Sequence, residues 1–364
     1  MRHLNVLNGL RGSTASACSS VLAALALNAC LSAPRYEGPR TDHFDGTFFH
    51  NVEAVGTLGF NDMLPAELGC AYTEAWWPYF AKTPRLPAPP ARVTTGVRVT
   101  IVNHATVLVQ LAGINILTDP VWSQHVGPTS LLSVGRHKAP GIAFDELPRI
   151  DAIVLSHNHY DHLDLPTLER LAQRDHPVLL AGLGTRALLA EHDIEGARDL
   201  DWWQTHELGA VRITFAPAHH WSQRGASDLN ANLWGSFFIA SQSESVYFAG
   251  DTGAGPHFER IRKRLGAPTV ALLPIGAYCP RSFWHEHHID PGEAVDAHLA
   301  LEAEQSVAIH WGTFKLTDEG MDDPVHALQQ ALVARGIVET VFHVLENGES
   351  LQSARAATLK SAPR

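Results

Sequence analysis

"LSHNHYDHLD", residues 155–164, places three histidines and two aspartates directly after an apolar run. In extended backbone, alternate residues face the same side, so His157 and His159 can bind one cation through their imidazole nitrogens. Asp161 and His162 follow on a tightening turn and can bind a second cation nearby. Imidazole and carboxylate ligands without a thiolate suit Zn²⁺ first, and Fe or Mn less well. The stretch therefore predicts a metal centre at the end of a buried strand.

Three more apolar runs finish on a histidine or an acid. "ITFAPAHH" ends at His219 and His220, "VYFAGD" at Asp251, and "SVAIH" at His310. An ionisable group at a buried strand end costs free energy unless it is paired or bound to a metal. Neighbouring residues in a strand face opposite ways, so we expect only one of the two adjacent histidines to be a ligand. Together with the opening stretch, these ends predict a single shared site.

The composition is that of a soluble globular protein with an excess of histidine. The chain has 364 residues, enough for one large or two small domains, and 22 of them are histidine. Its net charge of −11 argues against a broad footprint for nucleic acid or anionic lipid. The four cysteines, Cys18, Cys30, Cys70 and Cys279, show no C-x-x-C spacing, which disfavours a zinc knuckle or a redox motif.

The strand and helix patterns alternate in both halves of the chain. "LPTLERLAQR", residues 165–174, has helical spacing, and Asp164 before it is interpreted as a turn residue or a helix cap. The pattern predicts an α/β fold in which two β-sheets pack face to face with helices outside. The alternative is a doubly wound parallel sheet. It is disfavoured because no glycine-rich phosphate motif lies in a strand-to-helix turn.

The N-terminal residues have the composition of a leader. Residues 1–30 combine basic residues with a short apolar run, which is typical of a secretory signal peptide. "LNAC" at its end is similar to a bacterial lipoprotein box and predicts a lipid anchor at Cys30. We expect export to the periplasm or outer membrane; the alternative is a leader on a cytoplasmic protein. We expect residues 31–90 to form an extension packed on a main domain at 91–350, followed by a tail at 351–364.

Nine stretches of the sequence resemble one family in order along most of residues 98–315. These are "NHATVLVQ", "NILTDPVWS", "LPRIDAIVLSHNHYDHLD", "DWW", "LWGSFF", "FAGDTG", "LLPIGAYCPRSF", "HIDPGEAV" and "AIHWGTF". The sequence is similar to the metallo-β-lactamase fold, and within it to the N-acylphosphatidylethanolamine-hydrolysing phospholipase D family and its bacterial outer-membrane relatives. The resemblance implies a four-layer αββα sandwich.

The resemblance also implies two Zn²⁺ ions per chain and assigns their ligands. One metal is held by His157, His159 and His220, the second by Asp161, His162 and His310, and Asp251 bridges both. His220 is chosen over His219 because the family places the ligand directly before a tryptophan, here Trp221. A hydroxide bridging the two metals would attack a phosphodiester, and no serine or cysteine nucleophile is needed.

The segment "YCPRSFWHEHHIDP", residues 278–291, is predicted to form the substrate wall. His288 is expected to contact phosphate or donate a proton, and the catalytic residues are then Asp161, Asp251 and His288. The residues expected to contact the substrate are Tyr160, Trp221, Tyr278, Arg281 and His287. For Tyr160 the alternative is simple packing, for Arg281 a structural salt bridge, and for His285 and His287 an exposed loop. Cys279 replaces the acid expected in the family pattern, which leaves the substrate open.

We therefore predict a binuclear metallohydrolase of phospholipase D type acting on N-acylphosphatidylethanolamine-like phospholipids. Peripheral membrane contact and a homodimer are compatible with this prediction, although no stripe in the sequence indicates an interface. One alternative is a hydrolase of the same fold acting on a soluble lactone or cyclic phosphodiester. The other is a catalytically silent envelope protein.

Overall fold

Within the described residues, two seven-stranded sheets form the centre of the fold. The computed structural model describes residues 32–53, 76 and 86–353. In spatial order the first sheet contains β16 (Ser350–Ser353), β1 (Val97–Asn103), β2 (Thr106–Leu111), β3 (Ile114–Thr118), β6 (Ala152–Leu155), β7 (Val178–Gly182) and β8 (Ala197–Leu200). The second contains β15 (Phe342–His343), β14 (Gln305–Ile309), β13 (Val270–Pro274), β12 (Ser245–Phe248), β11 (Ser236–Ala240), β10 (Val211–Ala216) and β9 (Thr205–Leu208).

Both sheets are mixed. Strands β1 to β3 pair antiparallel, whereas β3, β6, β7 and β8 pair parallel. In the second sheet β9 to β12 pair antiparallel, and β12 to β15 pair parallel. The doubly wound alternative is therefore wrong. At the start of the main domain, β1, β2 and β3 form an antiparallel meander.

Helices cover the outer faces of both sheets. They are α1 (Leu165–Asp175), α2 (Thr185–Ala190), α3 (His257–Leu265), α4 (Arg281–Trp284), α5 (Pro291–Leu301) and α6 (Asp323–Arg335), with two short 3₁₀ turns at Phe144–Glu146 and Glu339–Val341. A separate hairpin joins β4 (His125–Thr129) to β5 (Leu132–Gly135). Among the described residues, no helix has the length and apolar character needed to cross a membrane.

Three apolar layers follow from the alternation of side chains along the strands. Between the sheets, residues such as Val109 and Val154 of the first sheet pack with Phe215 and Phe248 of the second. The opposite face of the first sheet packs on α1 and α2, and that of the second packs on α3, α5 and α6. The predicted four-layer αββα sandwich is confirmed.

Four strands end shortly before the predicted ligands. The backbone leaves β6 at Leu155, β10 at Ala216, β12 at Phe248 and β14 at Ile309. Each predicted ligand lies within a few residues after one of these ends, so the two sheets bring them to one edge. Near the C-terminal end of the described residues, β16 pairs with β1 and reaches Ser353. The first sheet therefore extends past residue 350, where the main domain was predicted to end.

Part of the N-terminal extension also lies against the sandwich. Phe44 and Phe49 are each 1% exposed and belong to the layer between the sheets. The ring of His43 stacks on Trp202 at 4.4 Å, and its Nε2 is 2.7 Å from Asp201. The predicted leader, the aromatic stretch around residues 77–80 and the end of the tail lie outside the described residues.

We expect Gly182→Ala to destabilise the fold. A Cβ at Gly182, the last residue of β7, would lie 2.0 Å from the carbonyl oxygen of Leu233. Because that neighbour is backbone, the two segments would have to separate, at a cost of about 1–3 kcal/mol. Gly135→Ala is the control, since its Cβ would meet nothing closer than 3.6 Å. Chemical denaturation that shows equal unfolding free energies for both variants would contradict the close approach.

Candidate metal centre

Three histidines after β6 and β10 form a first donor group. His157 Nε2 lies 2.8 Å from His159 Nδ1, and His220 Nε2 lies 3.3 Å from the same atom. His157 and His220 are buried, while His159 is partly exposed. The three nitrogens converge on one point, although His220 lies more than sixty residues after the other two.

Asp161, His162 and His310 form a second donor group beside the first. His310 Nε2 is 3.1 Å from His162 Nε2, and Asp161 Oδ2 is 3.3 Å and 3.4 Å from these two nitrogens. His310 follows β14 in a left-handed conformation with φ of 60°. This turn carries the ring back over the end of the sheet toward His162.

Asp251 lies between the two groups. Its Oδ2 is 3.1 Å from both His162 Nε2 and His310 Nε2, and 3.9 Å and 3.8 Å from the Nε2 atoms of His157 and His220. Its Oδ1 is buried and has no hydrogen-bond partner among the described residues. A buried carboxylate oxygen without a donor is costly unless a cation faces it. The structure thus brings all seven predicted ligands together, and this donor set fits metal ions.

The electrostatics of the first donor group suit cation binding. Burial, together with neighbouring histidines, holds the pKa of His157 and of His220 well below the usual range, so both rings are neutral. Burial alone would raise the pKa of Asp251, but the charges and hydrogen bonds of His162 and His310 outweigh it and hold that pKa well below its usual value. Neutral imidazoles and ionised carboxylates are the forms that bind metals.

The second donor group holds protons that a metal would displace. Burial opposes a charge on His310, but the carboxylates of Asp251 and Asp161 outweigh it and raise the pKa of His310 to about 9. The same carboxylates raise the pKa of His162 well above its usual value against the effect of burial. Since a ligating imidazole must be deprotonated, metal binding here should release protons.

Residues 114–311 match the β-lactamase superfamily domain, a range that contains both donor groups and Asp251. The chain belongs to the metallo-β-lactamase superfamily. It is a metal-dependent hydrolase of that superfamily, as the sequence predicted, and its candidate ligands cluster as described above.

Two curated relatives place it more closely, and one solved structure shares its fold. It is 35% identical over 268 residues to the N-acyl-phosphatidylethanolamine-hydrolyzing phospholipase D 1 of Caenorhabditis elegans, covering 70% of this chain and 75% of that protein. It is 36% identical over 226 residues to the mitochondrial N-acyl-phosphatidylethanolamine-hydrolyzing phospholipase D of Saccharomyces cerevisiae, covering 60% of this chain and 48% of that protein. A metallo hydrolase from the archaeon Ignicoccus hospitalis has the same fold, with a TM-score of 0.56 and 23% identity over 72% of this chain and 100% of that one. The predicted family resemblance is confirmed.

Asp119 of the metallo-β-lactamase domain holds one histidine of each donor group. His162 Nδ1 donates to Asp119 Oδ2 at 2.6 Å. His157 Nδ1 donates to Ser156 Oγ at 2.9 Å, and that hydroxyl donates to Asp119 Oδ2 at 2.5 Å. With both Nδ1 atoms donating, the Nε2 atoms of His157 and His162 are the ones available to a metal, and His162 gives up its Nε2 proton when the metal binds. Sequence reasoning assigned Asp119 no role, although it follows β3 as the other ligands follow their strands.

His104, in the turn after β1, supports the second donor group and was also missed. Its Nε2 donates to Asp161 Oδ2 at 3.0 Å, and its ring lies 4.0 Å from the ring of His310. The backbone of His310 is bound as well, since its N–H donates to the carbonyl of His104. His104 could hold a metal itself, because its ligand nitrogen lies within the same cluster.

The two adjacent histidines after β10 diverge. His220 joins the first donor group and donates its Nδ1 proton to the carbonyl of His287 at 3.0 Å. His219 lies outside it: its Nε2 is 2.9 Å from Glu53 Oε2. Both residues lie beyond β10, which ends at Ala216. Their opposite directions therefore do not come from the alternation of a strand.

The predicted substrate wall lies partly over the site. His288 Nδ1 is 3.9 Å from Asp251 Oδ2 and has no hydrogen-bond partner among the described residues. Trp221 packs on His159 at 4.7 Å and stacks with Trp284 at 6.1 Å. The ring of His287 lies against Trp221 at 4.6 Å. These aromatic side chains form a half-buried wall beside the first donor group.

Arg281 and His285 have local partners. Arg281 donates to the carbonyl of His288 at 2.6 Å and to Glu293 at 2.7 Å, so it fixes the shape of this segment. The exposed His285 places its Nδ1 3.0 Å from the carbonyl of Arg281. For Arg281 this is the structural salt bridge that the sequence left open. Its contact with substrate stays a prediction.

The two predicted tyrosines have partners outside the donor groups. The hydroxyl of Tyr160 donates to the carbonyl of Arg224 at 3.2 Å, and the guanidinium of Arg224 lies over its ring at 3.9 Å. Tyr278 is half-buried, and burial together with the carboxylate of Glu319 raises its pKa. The packing alternative thus describes Tyr160 in this structure.

Asp164 precedes α1 at the N-cap position. Its carboxylate accepts from the N–H groups of Trp122 and Ser123 and from the hydroxyl of Thr167, not from the first turn of the helix backbone. It is therefore a turn residue that ties the motif to the β3–β4 connection, as one of the two interpretations predicted.

Proposed function

We propose that this protein is a phosphodiesterase of phospholipase D type that hydrolyses N-acylphosphatidylethanolamine-like phospholipids with two bound metal ions. The observation that carries the proposal is the meeting of two donor groups at Asp251, directly beside an aromatic wall. The identity of 35% to a phospholipase D that hydrolyses this lipid class supports it.

The residues that would hold the ions follow from the donor groups. The first group would bind one ion and the second group the other, with the Asp251 carboxylate shared. Zn²⁺ suits this imidazole-rich set better than Fe or Mn does. When bound, the ions would lower the pKa of a water molecule toward neutrality and offset charge on a phosphoryl oxygen.

The surrounding residues orient the reaction. Water adds its oxygen to phosphorus, the bond from phosphorus to the alcohol oxygen breaks, and N-acylethanolamine and phosphatidic acid are the products. His288 is placed to contact the phosphate, because its Nδ1 lies 3.9 Å from Asp251 Oδ2 and makes no hydrogen bond among the described residues. Burial lowers the pKa of its ring to about 3, so the proton that the leaving oxygen needs comes from water. His104 donates to Asp161 at 3.0 Å and so keeps the Asp161 carboxylate facing His162 and His310.

The aromatic wall accounts for a lipid substrate. Phe283 lies 4.5 Å from Trp284, which stacks on Trp221 at 6.1 Å. All three side chains are half-buried and remain accessible on one side. Such a surface favours contact with an acyl chain, since burying apolar area contributes roughly 25 cal/mol per Å².

A substrate panel tests the proposal. Purified protein is incubated with N-acylphosphatidylethanolamine, phosphatidylcholine, a lactone and bis-p-nitrophenyl phosphate, with and without chelator. We expect release of N-acylethanolamine and phosphatidic acid that chelator abolishes and Zn²⁺ restores. Turnover of the lactone alone would favour the soluble-substrate alternative. Absence of turnover on all four by metal-loaded protein would favour the silent envelope protein.

We further propose that the protein is exported, as the leader and lipoprotein box suggest. Cys279, in the substrate wall, is fully buried and disulfide-bonded. Disulfides persist mainly in oxidising compartments outside the cytosol. The mass of protein isolated from the cell envelope should correspond to a chain that begins at a lipid-modified Cys30. A full-length chain found in the cytoplasmic fraction would contradict export.

A further inference from the structure

We propose that Asn51, in the N-terminal extension, is a positioning residue that holds the metal ligand His220, so that the extension is a functional part of the metal centre. The matched superfamily domain covers residues 114–311 and does not include this segment. The inference rests on the proposed metal-binding role of the first donor group, but not on the identity of the substrate.

The side-chain amide of Asn51 binds both peptide groups of His220. Its Nδ2 donates to the carbonyl of His220 at 3.0 Å, and its Oδ1 accepts from the N–H of His220 at 3.2 Å. The same Oδ1 accepts from Trp234 Nε1 at 3.0 Å. Because Trp234 is only 1% exposed and lies in the layer between the sheets, Asn51 ties His220 to the rigid core.

His220 needs this support because no strand holds it. It lies four residues beyond the end of β10, in a stretch without regular secondary structure. It is 1% exposed, so its peptide groups cannot turn to water. A buried peptide group left without a partner costs roughly 1–3 kcal/mol.

Glu53 binds His219, the residue before His220. Its Oε2 is 2.9 Å from His219 Nε2, and its Oε1 forms an ion pair with Arg260 of α3. Asn51 and Glu53 are two positions apart, and both side chains bind the segment of His219 and His220. Val52 between them is 46% exposed. His219 and His220, two successive residues after β10, are thus both bound by side chains of the extension.

The extension is fixed firmly enough to act in this way. Phe49, two residues before Asn51, is 1% exposed, and its N–H donates to the carbonyl of Asn230 at 2.9 Å. Phe44 packs on it at 4.6 Å. A side chain on a mobile segment could not orient a ligand, whereas Asn51 follows a segment whose two phenylalanine rings are buried between the sheets.

Metal binding measures the role of Asn51 directly. Metal-free full-length protein is titrated with Co²⁺, whose visible absorption reports the geometry of its nitrogen ligands, and competition with a chelating dye gives the affinity of each equivalent. Partners that orient ligands typically contribute about 10–100-fold to metal affinity. For Asn51→Ala we expect an affinity loss of about tenfold, near the lower end, in one equivalent only, together with an altered spectrum.

Two further variants make the result decisive. Phe49→Leu loosens the same segment but leaves the Asn51 amide in place, so its Co²⁺ affinity and spectrum should stay those of the wild type while its melting temperature falls. His159→Ala removes a ligand of the first donor group and should lose that equivalent. Thermal unfolding is measured for all of them.

The inference is overturned if Asn51→Ala keeps the wild-type affinity and spectrum while His159→Ala loses one equivalent. It is also overturned if Phe49→Leu weakens binding as much as Asn51→Ala does at a similar loss of stability, because the extension would then act only through folding. If His159→Ala binds both equivalents normally, the ligand assignment itself is wrong and the inference falls with it. None of these readouts depends on which phosphodiester is hydrolysed.

Discussion

Asp251→Asn is expected to lower kcat/KM by at least about 10³-fold, which corresponds to about 4 kcal/mol of transition-state stabilisation. The reason is that one carboxylate oxygen faces both donor groups, at 3.1 Å from His162 and His310 and below 4 Å from the two histidines of the first group. Asparagine keeps the size but removes the charge that two cations would share. We therefore also expect metal content to fall, measured by plasma mass spectrometry.

Asp145→Asn is the matched control for this variant. The side chain of Asp145 is 93% exposed and lies on the surface turn before β6. The substitution removes the same charge at a distance from the donor groups, so turnover and metal content should stay those of the wild type. If Asp251→Asn retains both metals and activity within tenfold of the wild type, the proposed shared role of Asp251 is wrong.

Asp119→Asn is expected to weaken metal binding toward 100-fold, the upper end of the usual range of about 10–100-fold for a residue that orients ligands. The carboxylate accepts a hydrogen bond from His162 Nδ1 and, through Ser156, supports His157, so both donor groups depend on it. An amide in this place turns a donor toward His162 Nδ1, which disfavours the tautomer that leaves Nε2 free. Chelator competition followed by activity at limiting Zn²⁺ measures the loss.

Asp164→Asn separates this effect from a general loss of stability. Asp164 is also a buried carboxylate that accepts from backbone N–H groups, but it holds Trp122 and Ser123, which contact neither donor group. We expect both variants to lower the free energy of unfolding, and only Asp119→Asn to lower metal affinity. Equal metal affinities in the two variants would contradict the role of Asp119.

The sequence predicts the strands that deliver the ligands well, because each is a short apolar run with a polar end. The helix predicted at 165–174 is observed at Leu165–Asp175. The elements that it missed have weaker patterns. Helix α3, "HFERIRKRL", is mostly charged and buries only His257, Phe258 and Ile261. The hairpin of β4 and β5 contains glycine, proline and serine, which indicate a loop more than a strand.

The ligands were predictable because they belong to a short motif or end an apolar run. Their supporting residues were not, since their partners are distant in sequence. His104 and Asp161 are 57 residues apart, and Asn51 and His220 are 169 apart. His104 and Asp119 also adopt left-handed backbone, with φ of 46° and 31°, which a strand pattern does not indicate. Asn51 lies in a polar, turn-rich segment whose periodicity carries no signal.

The substrate wall was the least predictable part. Residue types such as arginine and tyrosine suit a phosphate contact and a structural role equally. The structure shows Arg281 bound to Glu293 and Tyr160 packed under Arg224, whereas Trp221 and Trp284 form the wall. Which of several polar side chains turns inward depends on packing, and spacing in the sequence does not report it.

Titration of metal-free protein with Zn²⁺ tests the central claim most directly. Release of N-acylethanolamine from N-acylphosphatidylethanolamine is followed as Zn²⁺ is added in steps, with bound metal measured at each step. We expect turnover to be absent without metal, to rise as the sites defined by the two donor groups fill, and to level off at two ions per chain. Hydrolysis of this lipid by the metal-free protein, or no hydrolysis after two ions are bound, would contradict the account.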